Sequence, residues 1–230
     1  PVIIFINKMD REGKDPLSLL DELEEELQIS VRPLSWPIEQ GARFKGVYNI
    51  YEHNLNLFAP DKQKVTEKVE VDVNSTDLEA HVGDKNAAKL RSDIELIDGV
   101  YPAFDRDTYL AGDVAPVFFG SALNNFGVKE LLDCFVEIAP SPRPTQAIER
   151  NVEPKEPKFT GFILKITANI DPNHRSCIAF CKVCSGKFVR NTPYQHVRLG
   201  KTVRFSSPVQ FMAQRKSTID EAYAGDIVGL

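Results

Sequence analysis

The chain has 230 residues, 42% of them hydrophobic and 27% charged, with a formal net charge of −5. That is enough to bury a sizeable core, and two domains are expected. No apolar run approaches the ~20 residues of a membrane span and nothing at the start resembles a signal peptide, so no membrane role is expected.

The first predicted element is a strand. Residues 2–6 of V-I-I-F-I-N-K-M-D are all apolar, as in a strand buried on both faces of a parallel sheet. Asn7, Lys8, Met9 and Asp10 then stand at its carboxyl end, the edge where open α/β sheets bind ligands. Their chemistry suits a guanine base. Asp10 can accept from the N–H and the amino group that guanine shows side by side, a charge-assisted pair of bonds that adenine cannot offer. Asn7 can meet the base's N7 and O6 edge or tie neighbouring loops together, and the apolar stem of Lys8 can lie over the base.

Asp15 as N-cap and Pro16 at the first helical position predict a helix to about Gln28, with Leu19, Leu20, Leu23 and Leu27 at helical spacing. Residues 31–36 read as extended and stopped by Pro37, with Trp36 a packing residue. Residues 44–58 read as a strand pair turning near Glu52 to Asn54, residues 62–77 as extended. Residues 85–97 are expected to be helical, with Ala88, Leu90, Ile94 and Ile97 buried. His53 and His81 are given no role. A second buried strand is expected at 114–119, ending in Gly120-Ser121-Ala122-Leu123. Backbone N–H groups of that turn can donate to guanine O6, which disfavours adenine because its amino group would leave those donors unpaired.

Residues 126–138 complete the sheet domain as a helix, with Val128, Leu131, Leu132, Phe135 and Ile138 at helical spacing. Three prolines within 139–145 then make a stiff connector. From Phe159 the periodicity is two: Phe162, Leu164 and Ile166 alternate with Ile163, Lys165 and Thr167, and Val197, Val203 and Phe205 mark later strands. Turns at Gly186, Gly200, Pro208 and Gly225 imply a small antiparallel barrel, incomplete where the chain stops. Cys177, Cys181 and Cys184 lie on a strand whose alternation places Cys184 opposite the other two, so these and Cys134 are expected to be reduced core thiols rather than a metal site.

Charge is unevenly divided. Residues 158–230 carry eleven Lys and Arg against four Asp and Glu, a balance of +7 that leaves −12 on the rest. Nine of those basic residues fall within 158–204, a density that suits phosphate backbone as well as it suits a solvated barrel face.

N-K-M-D after one buried strand and S-A-L after another resemble the base-recognition pair of the GTPase superfamily. The plan of the whole chain is similar to the translational GTPases. The residues that carry this are F-I-N-K-M-D-R-E-G-K-D-P at 5–16, W-P-I at 36–38, F-K-G-V-Y at 44–48 and P-V-F-F-G-S-A-L-N-N-F-G-V at 116–128. Further along they are A-N-I-D-P-N-H-R at 168–175, A-F at 179–180, S-G-K-F at 185–188 and E-A-Y-A-G-D-I-V-G-L at 221–230. The H-R after D-P sets the chain with the release-factor branch rather than with elongation factor G.

The resemblance implies an α/β P-loop GTPase-type domain, its C-terminal half at 1–142 with an insertion at about 44–110. A linker follows at 143–157, then an all-β translation-factor barrel at 158–230. It implies a cytoplasmic GTP/GDP-binding factor of translation termination whose partners are the ribosome, its RNA and the release factors that read stop codons, with no membrane and no DNA. Asn7, Lys8, Asp10, Ser121, Ala122 and Leu123 would surround the guanine. From charge rather than from a family motif, His174, Arg175, Lys187 and Arg190 are candidate RNA contacts. The sequence has no G-x-x-x-x-G-K-[ST] loop; Gly200-Lys201-Thr202 ends like one, but position 195 is Gln. Phosphate loop, switch regions and Mg2+ ligands are therefore expected in a missing front half. No catalytic or metal residue is expected here, and neither GTP hydrolysis nor appreciable nucleotide binding by these residues alone. The alternatives are translocation or ribosome protection within the family, or a non-hydrolysing RNA-binding scaffold.

Overall fold

The opening apolar run folds as strand β1 (Ile4–Ile6), followed by helix α1 (Pro16–Leu27) and strand β2 (Ser30–Pro33). The structure is a computed structural model that describes residues 1–57, 67–168, 177–212 and 215–230, and it divides into two units, Pro1–Ala139 and Pro140–Leu230. Helix α1 begins as its sequence dictates. The Asp15 carboxylate accepts from the amides of Leu17 at 3.0 Å and Ser18 at 3.5 Å, Pro16 occupies the first turn, and Gln28 ends the helix in a left-handed conformation.

The remaining elements of the first unit are strands β3 (Ser35–Ile38), β4 (Gly46–Asn49), β5 (Asn54–Leu57) and β6 (Glu67–Val69), and helices α2 (Asp77–Val82), α3 (Asp84–Val100) and α4 (Arg106–Ala111). Strand β7 (Val114–Phe119) and helix α5 (Val128–Ile138) complete it. All six residues of β7 are buried, and it lies at the centre of a parallel sheet ordered β1-β7-β2. In register, Ile6 stands beside Phe119 and Pro33 beside Val117. The sites after β1 and after β7 therefore open at the same sheet edge.

Pro37 does not stop the second extended segment. After β2 the chain crosses at Leu34 and continues as β3, where Pro37 pairs with Val47. A proline is tolerated there because β3 is the outer strand of an antiparallel sheet ordered β3-β4-β5-β6, where one side of the strand needs no ladder donor. Within the 44–110 stretch, β4 and β5 form the expected pair. Of the expected extended region, 62–66 lies outside the described residues, β6 is strand, and α2 takes up Asp77. This stretch shares one hydrophobic core with the parallel sheet: Val47, Tyr48, Leu55, Leu90 and Ile97 pack in the same cluster as Val31, Val117 and Phe119. Trp36 is buried there, edge-on to Phe119 at 5.3 Å, and its indole N–H donates to Asp93 of α3 at 3.0 Å. Arg32 fixes the other end of α3, donating to the Tyr101 carbonyl at 3.2 Å and to Asp98 at 2.6 Å.

Two helix faces differ from expectation by one position in the turn. In α3 the buried residues are Ala87, Leu90, Ile94 and Ile97, with Ala88 exposed. In α5 they are Cys134 and Ile138 with Leu131 beside them, while Leu132 and Phe135 are about half exposed. That helix carries two adjacent apolar stripes, and spacing alone does not say which faces the sheet.

The second unit contains the short hairpin β8 (Thr145–Gln146) and β9 (Asn151–Val152), then β10 (Thr160–Ala168), β11 (Cys177–Ser185), β12 (Lys187–Val189), β13 (Tyr194–His196) and β14 (Lys201–Val203). The last four strands are β15 (Val209–Met212), β16 (Arg215–Thr218), β17 (Glu221–Tyr223) and β18 (Ile227–Gly229). The sheets stay open: one is ordered β10-β11-β18-β15-β16, with separate pairs β12-β17 and β13-β14. Its core gathers Val183, Phe188, Ala222 and Val228 with Phe159, Tyr194 and Phe205. Strand β10 lies at an edge, and Phe162, Ile163, Leu164 and Ile166 on it are all exposed. Val197 is not on a strand but on a short 3-10 turn, almost fully exposed. Burial pushes the thiols of Cys134 and Cys181 up to about 11, and Cys184 is buried as well; Cys177, the first residue of β11, is exposed and is no core thiol.

Candidate functional site

The turn after β1 is built on Lys8, whose φ of 70° lies in the left-handed region that side chains rarely adopt. Its amide donates to the Asn7 side-chain oxygen at 2.8 Å, and its carbonyl accepts from Arg11 at 2.9 Å. The bend sends Met9 inward. Met9 is 4% exposed, its N–H donates to the Gly120 carbonyl at 3.0 Å, and its carbonyl accepts from Gly41 at 2.9 Å. One backbone unit thus clamps the loops after β1, after β3 and after β7.

The turn after β7 is fixed as tightly. Ser121 is 1% exposed and forms an isolated β-bridge with Phe126, each amide donating to the other's carbonyl at 3.0 and 2.9 Å. Between them residues 122–124 make one turn of 3-10 helix, closed by Asn125 at φ 55°. Gly120 has no space for a side chain: a Cβ would stand 2.3 Å from the Phe126 carbonyl oxygen and 2.8 Å from the Phe5 ring.

These turns meet through bonds between residues 114 and 115 positions apart. The Ala122 amide donates to the Asn7 side-chain oxygen at 2.9 Å, so of the two roles open to Asn7 the structure contains the loop-tying one. The Asn124 amide group donates to Asp10 at 3.3 Å and to the Ser121 hydroxyl at 2.9 Å. Asp10 is half-buried, and its second carboxylate oxygen has no partner among the described residues. Lys8, Ala122 and Leu123 are exposed around it. Such a set, one carboxylate acceptor flanked by amides and an aliphatic stem, fits the hydrogen-bonding edge of a guanine base.

Nothing in the sequence singles out Asn124. It stands in N-N-F-G, which reads only as a loop, and its contact with Asp10 exists because the Ser121–Phe126 bridge folds that loop back. Nothing in the described residues gathers three or more His, Cys, Asp or Glu side chains as a metal site.

Of the four candidate RNA residues, the structure describes two, Lys187 and Arg190. His174 and Arg175 lie outside the described residues. Lys187 pairs with Glu221 at 2.5 Å, which raises its ammonium above the ordinary lysine value, and Arg190 donates to the Ser206 carbonyl at 2.6 Å and to Asp220 at 3.3 Å. Both charges already have partners.

Residues 1–141 match the family model described as the elongation factor Tu GTP binding domain, and residues 158–230 match elongation factor G domain 2. The fold is similar to that of a crystal structure from Thermus thermophilus, with a TM-score of 0.62 and 19% sequence identity. That likeness covers 100% of this chain and 34% of the other, so the chain spans about a third of that relative's length. The α/β unit followed by a β-rich domain 2 is thus the arrangement of translation factors. Among the described residues no helix is long and apolar enough to cross a membrane.

Proposed function

This chain belongs to the elongation factor Tu GTP-binding domain family, and from that premise we propose that the edge formed by Asn7, Lys8, Asp10, Ser121, Ala122 and Leu123 receives the guanine base of GTP or GDP. The observation that carries the reading is the meeting of the two turns, Asn7 with Ala122 across 115 residues of chain and Asp10 with Asn124 across 114. Asp10 accepts from the base's N–H and amino group. Asn7 keeps the second loop in place through Ala122, and Ser121 supports that loop from beneath. Leu123's amide, in the first turn of a helix and so without an intrahelical partner, is the donor to O6. Bound nucleotide brings a leaving phosphate and, with Mg2+, the chemistry of hydrolysis. That step needs a phosphate loop this sequence does not contain, and we assign it to a longer protein that includes these residues.

Asp10→Asn tests the base assignment. Calorimetric titration of the full-length protein should show the unaltered form preferring GDP to XDP, and the asparagine variant moving toward XDP, whose extra oxygen replaces guanine's amino donors. If neither form discriminates, the site does not read the base.

At the level of biological role we propose translation termination in the manner of bacterial peptide chain release factor 3: the protein, cytoplasmic and ribosome-bound, promotes departure and recycling of the factors that read stop codons. What supports this is the set of sequence motifs, A-N-I-D-P-N-H-R at 168–175 among them. The match of 158–230 to elongation factor G domain 2 favours a second reading, translocation. Reconstituted ribosomes separate the two. GTP-dependent loss of a stop-codon-reading factor supports the first, and accelerated movement of messenger RNA with no such loss supports the second.

A further inference from the structure

One side chain at this edge has no part in the reading above. Asn124 is held by its own turn: its backbone N–H donates to the Ser121 carbonyl at 3.1 Å, and Asn125 closes the turn behind it at φ 55°. Its side-chain nitrogen has two hydrogens, and they are directed to two acceptors, the buried Ser121 hydroxyl at 2.9 Å and Asp10 Oδ2 at 3.3 Å. One end of this bridge is held by packing and backbone bonds, since Ser121 is 1% exposed and bridged to Phe126. The other end is a carboxylate whose terminal torsion is otherwise broad.

We propose that Asn124 is a positioning residue that sets the plane of the Asp10 carboxylate, and with it the selectivity for a base bearing an amino group beside its ring N–H; this rests on the guanine reading. Each carboxylate oxygen has two lone pairs. Asn124 takes one on Oδ2, which leaves the other, together with Oδ1, for two parallel donors. Guanine needs both oxygens in one plane. Hypoxanthine, which has the ring N–H but no amino group, needs a single acceptor and tolerates a rotated carboxylate.

The test is titration of GDP, IDP and ADP into the full-length protein, unaltered and as Asn124→Ala and Asn124→Asp, with thermal melting of each. Asn124→Ala should bind GDP about three- to tenfold more weakly, the range of one modest hydrogen bond, with a smaller change for IDP, so that the GDP:IDP preference narrows. Asn124→Asp can still bond to the Ser121 hydroxyl and keep the turn, but it sets a second carboxylate against Asp10, and its loss of preference should be larger. A lower melting temperature with an unchanged GDP:IDP ratio in both variants overturns the proposal, because a merely structural Asn124 acts that way. Unaltered protein that binds ADP as well as GDP removes the guanine reading and this inference with it. Preference for GDP over ADP, with the ratio unmoved by either variant, removes the inference alone.

Discussion

Gly120 shows how little freedom the site has at the level of single atoms. Its N–H donates to the Ile6 carbonyl and its carbonyl accepts from Met9, both at 3.0 Å, so the residue is stitched to β1 and to the turn that follows it. A methyl group there must displace the Phe126 carbonyl, the partner of Ser121 in the bridge beneath the second loop. Gly120→Ala is therefore expected to cost roughly 1–3 kcal/mol in urea unfolding, as overpacking does, and to weaken GDP binding by shifting Ala122. Gly13→Ala is the control. An added Cβ at Gly13 meets nothing within 4 Å, and its effect should stay within about 0.5 kcal/mol. An equal loss in both variants would mean that the close approach at Gly120 does not constrain the turn. Asn7, Asp10 and the S-A-L turn were legible in the sequence because each follows an unbroken apolar run, and a strand's end is a place the sequence marks. Asn124 was not legible. Its partner is chosen by a β-bridge between residues five apart, and no periodicity announces such a bridge.

Among the elements, α5 is tied to the turn between β4 and β5 by a bond from the Tyr51 hydroxyl to Glu137 at 2.7 Å. That bond, then burial, pushes the Tyr51 phenol up to about 12, against 10.0 for a free tyrosine. Folding thus strengthens proton binding. The stability this confers is fully present below pH 10, where both states are protonated, and is lost as pH rises through 12. Tyr51→Phe should be less stable than the unaltered protein at pH 8 by about 1 kcal/mol, the ordinary contribution of a hydrogen bond, and the gap should close between pH 10 and 12. Urea midpoints across that range check it; a gap that persists above pH 12 would mean the ring's packing against Phe104, not its hydroxyl, is what matters. The same helix shows where pattern reading reaches its limit. Helix existence in α1, α3 and α5 follows from 3.6-residue spacing, to which α1 alone adds a side-chain N-cap, Asp15. The buried face of α5 does not, because Leu131, Cys134 and Ile138 compete with Leu132, Phe135 and Val136, and only the sheet decides. Helices α2 and α4, six residues each, are too short for periodicity to reveal.

Across the whole molecule the uneven charge is the property most exposed to test, and pairing changes which residues express it. Lys187 and Arg190 are engaged by Glu221 and Asp220, so their fields are largely cancelled locally. Residues 191–219 hold no Asp or Glu at all and five basic residues, Arg198, Lys201, Arg204, Arg215 and Lys216. All five are exposed, and none has a carboxylate partner among the described residues. Charge density along the sequence cannot tell a paired lysine from an unpaired one, since Glu221 and Asp220 stand some thirty positions away and reach Lys187 and Arg190 only through the antiparallel pairing of β12 with β17. If this unit meets RNA, the unpaired group carries the contact. Each phosphate contact contributes about 0.7 to the salt slope of binding to a single strand. Reversing Arg198, Lys201 and Arg204 to Glu together should then weaken RNA binding and flatten the plot of log K against log salt by about 2, whereas reversing Lys187 and Arg190 should change the slope by less. Filter binding to a single-stranded RNA at several salt concentrations reads both. A steeper loss from the Lys187 and Arg190 pair would mean that RNA displaces Glu221 and Asp220, and an unchanged slope in both variants would remove the β-rich unit as an RNA surface, leaving its basic residues as solvated strand faces.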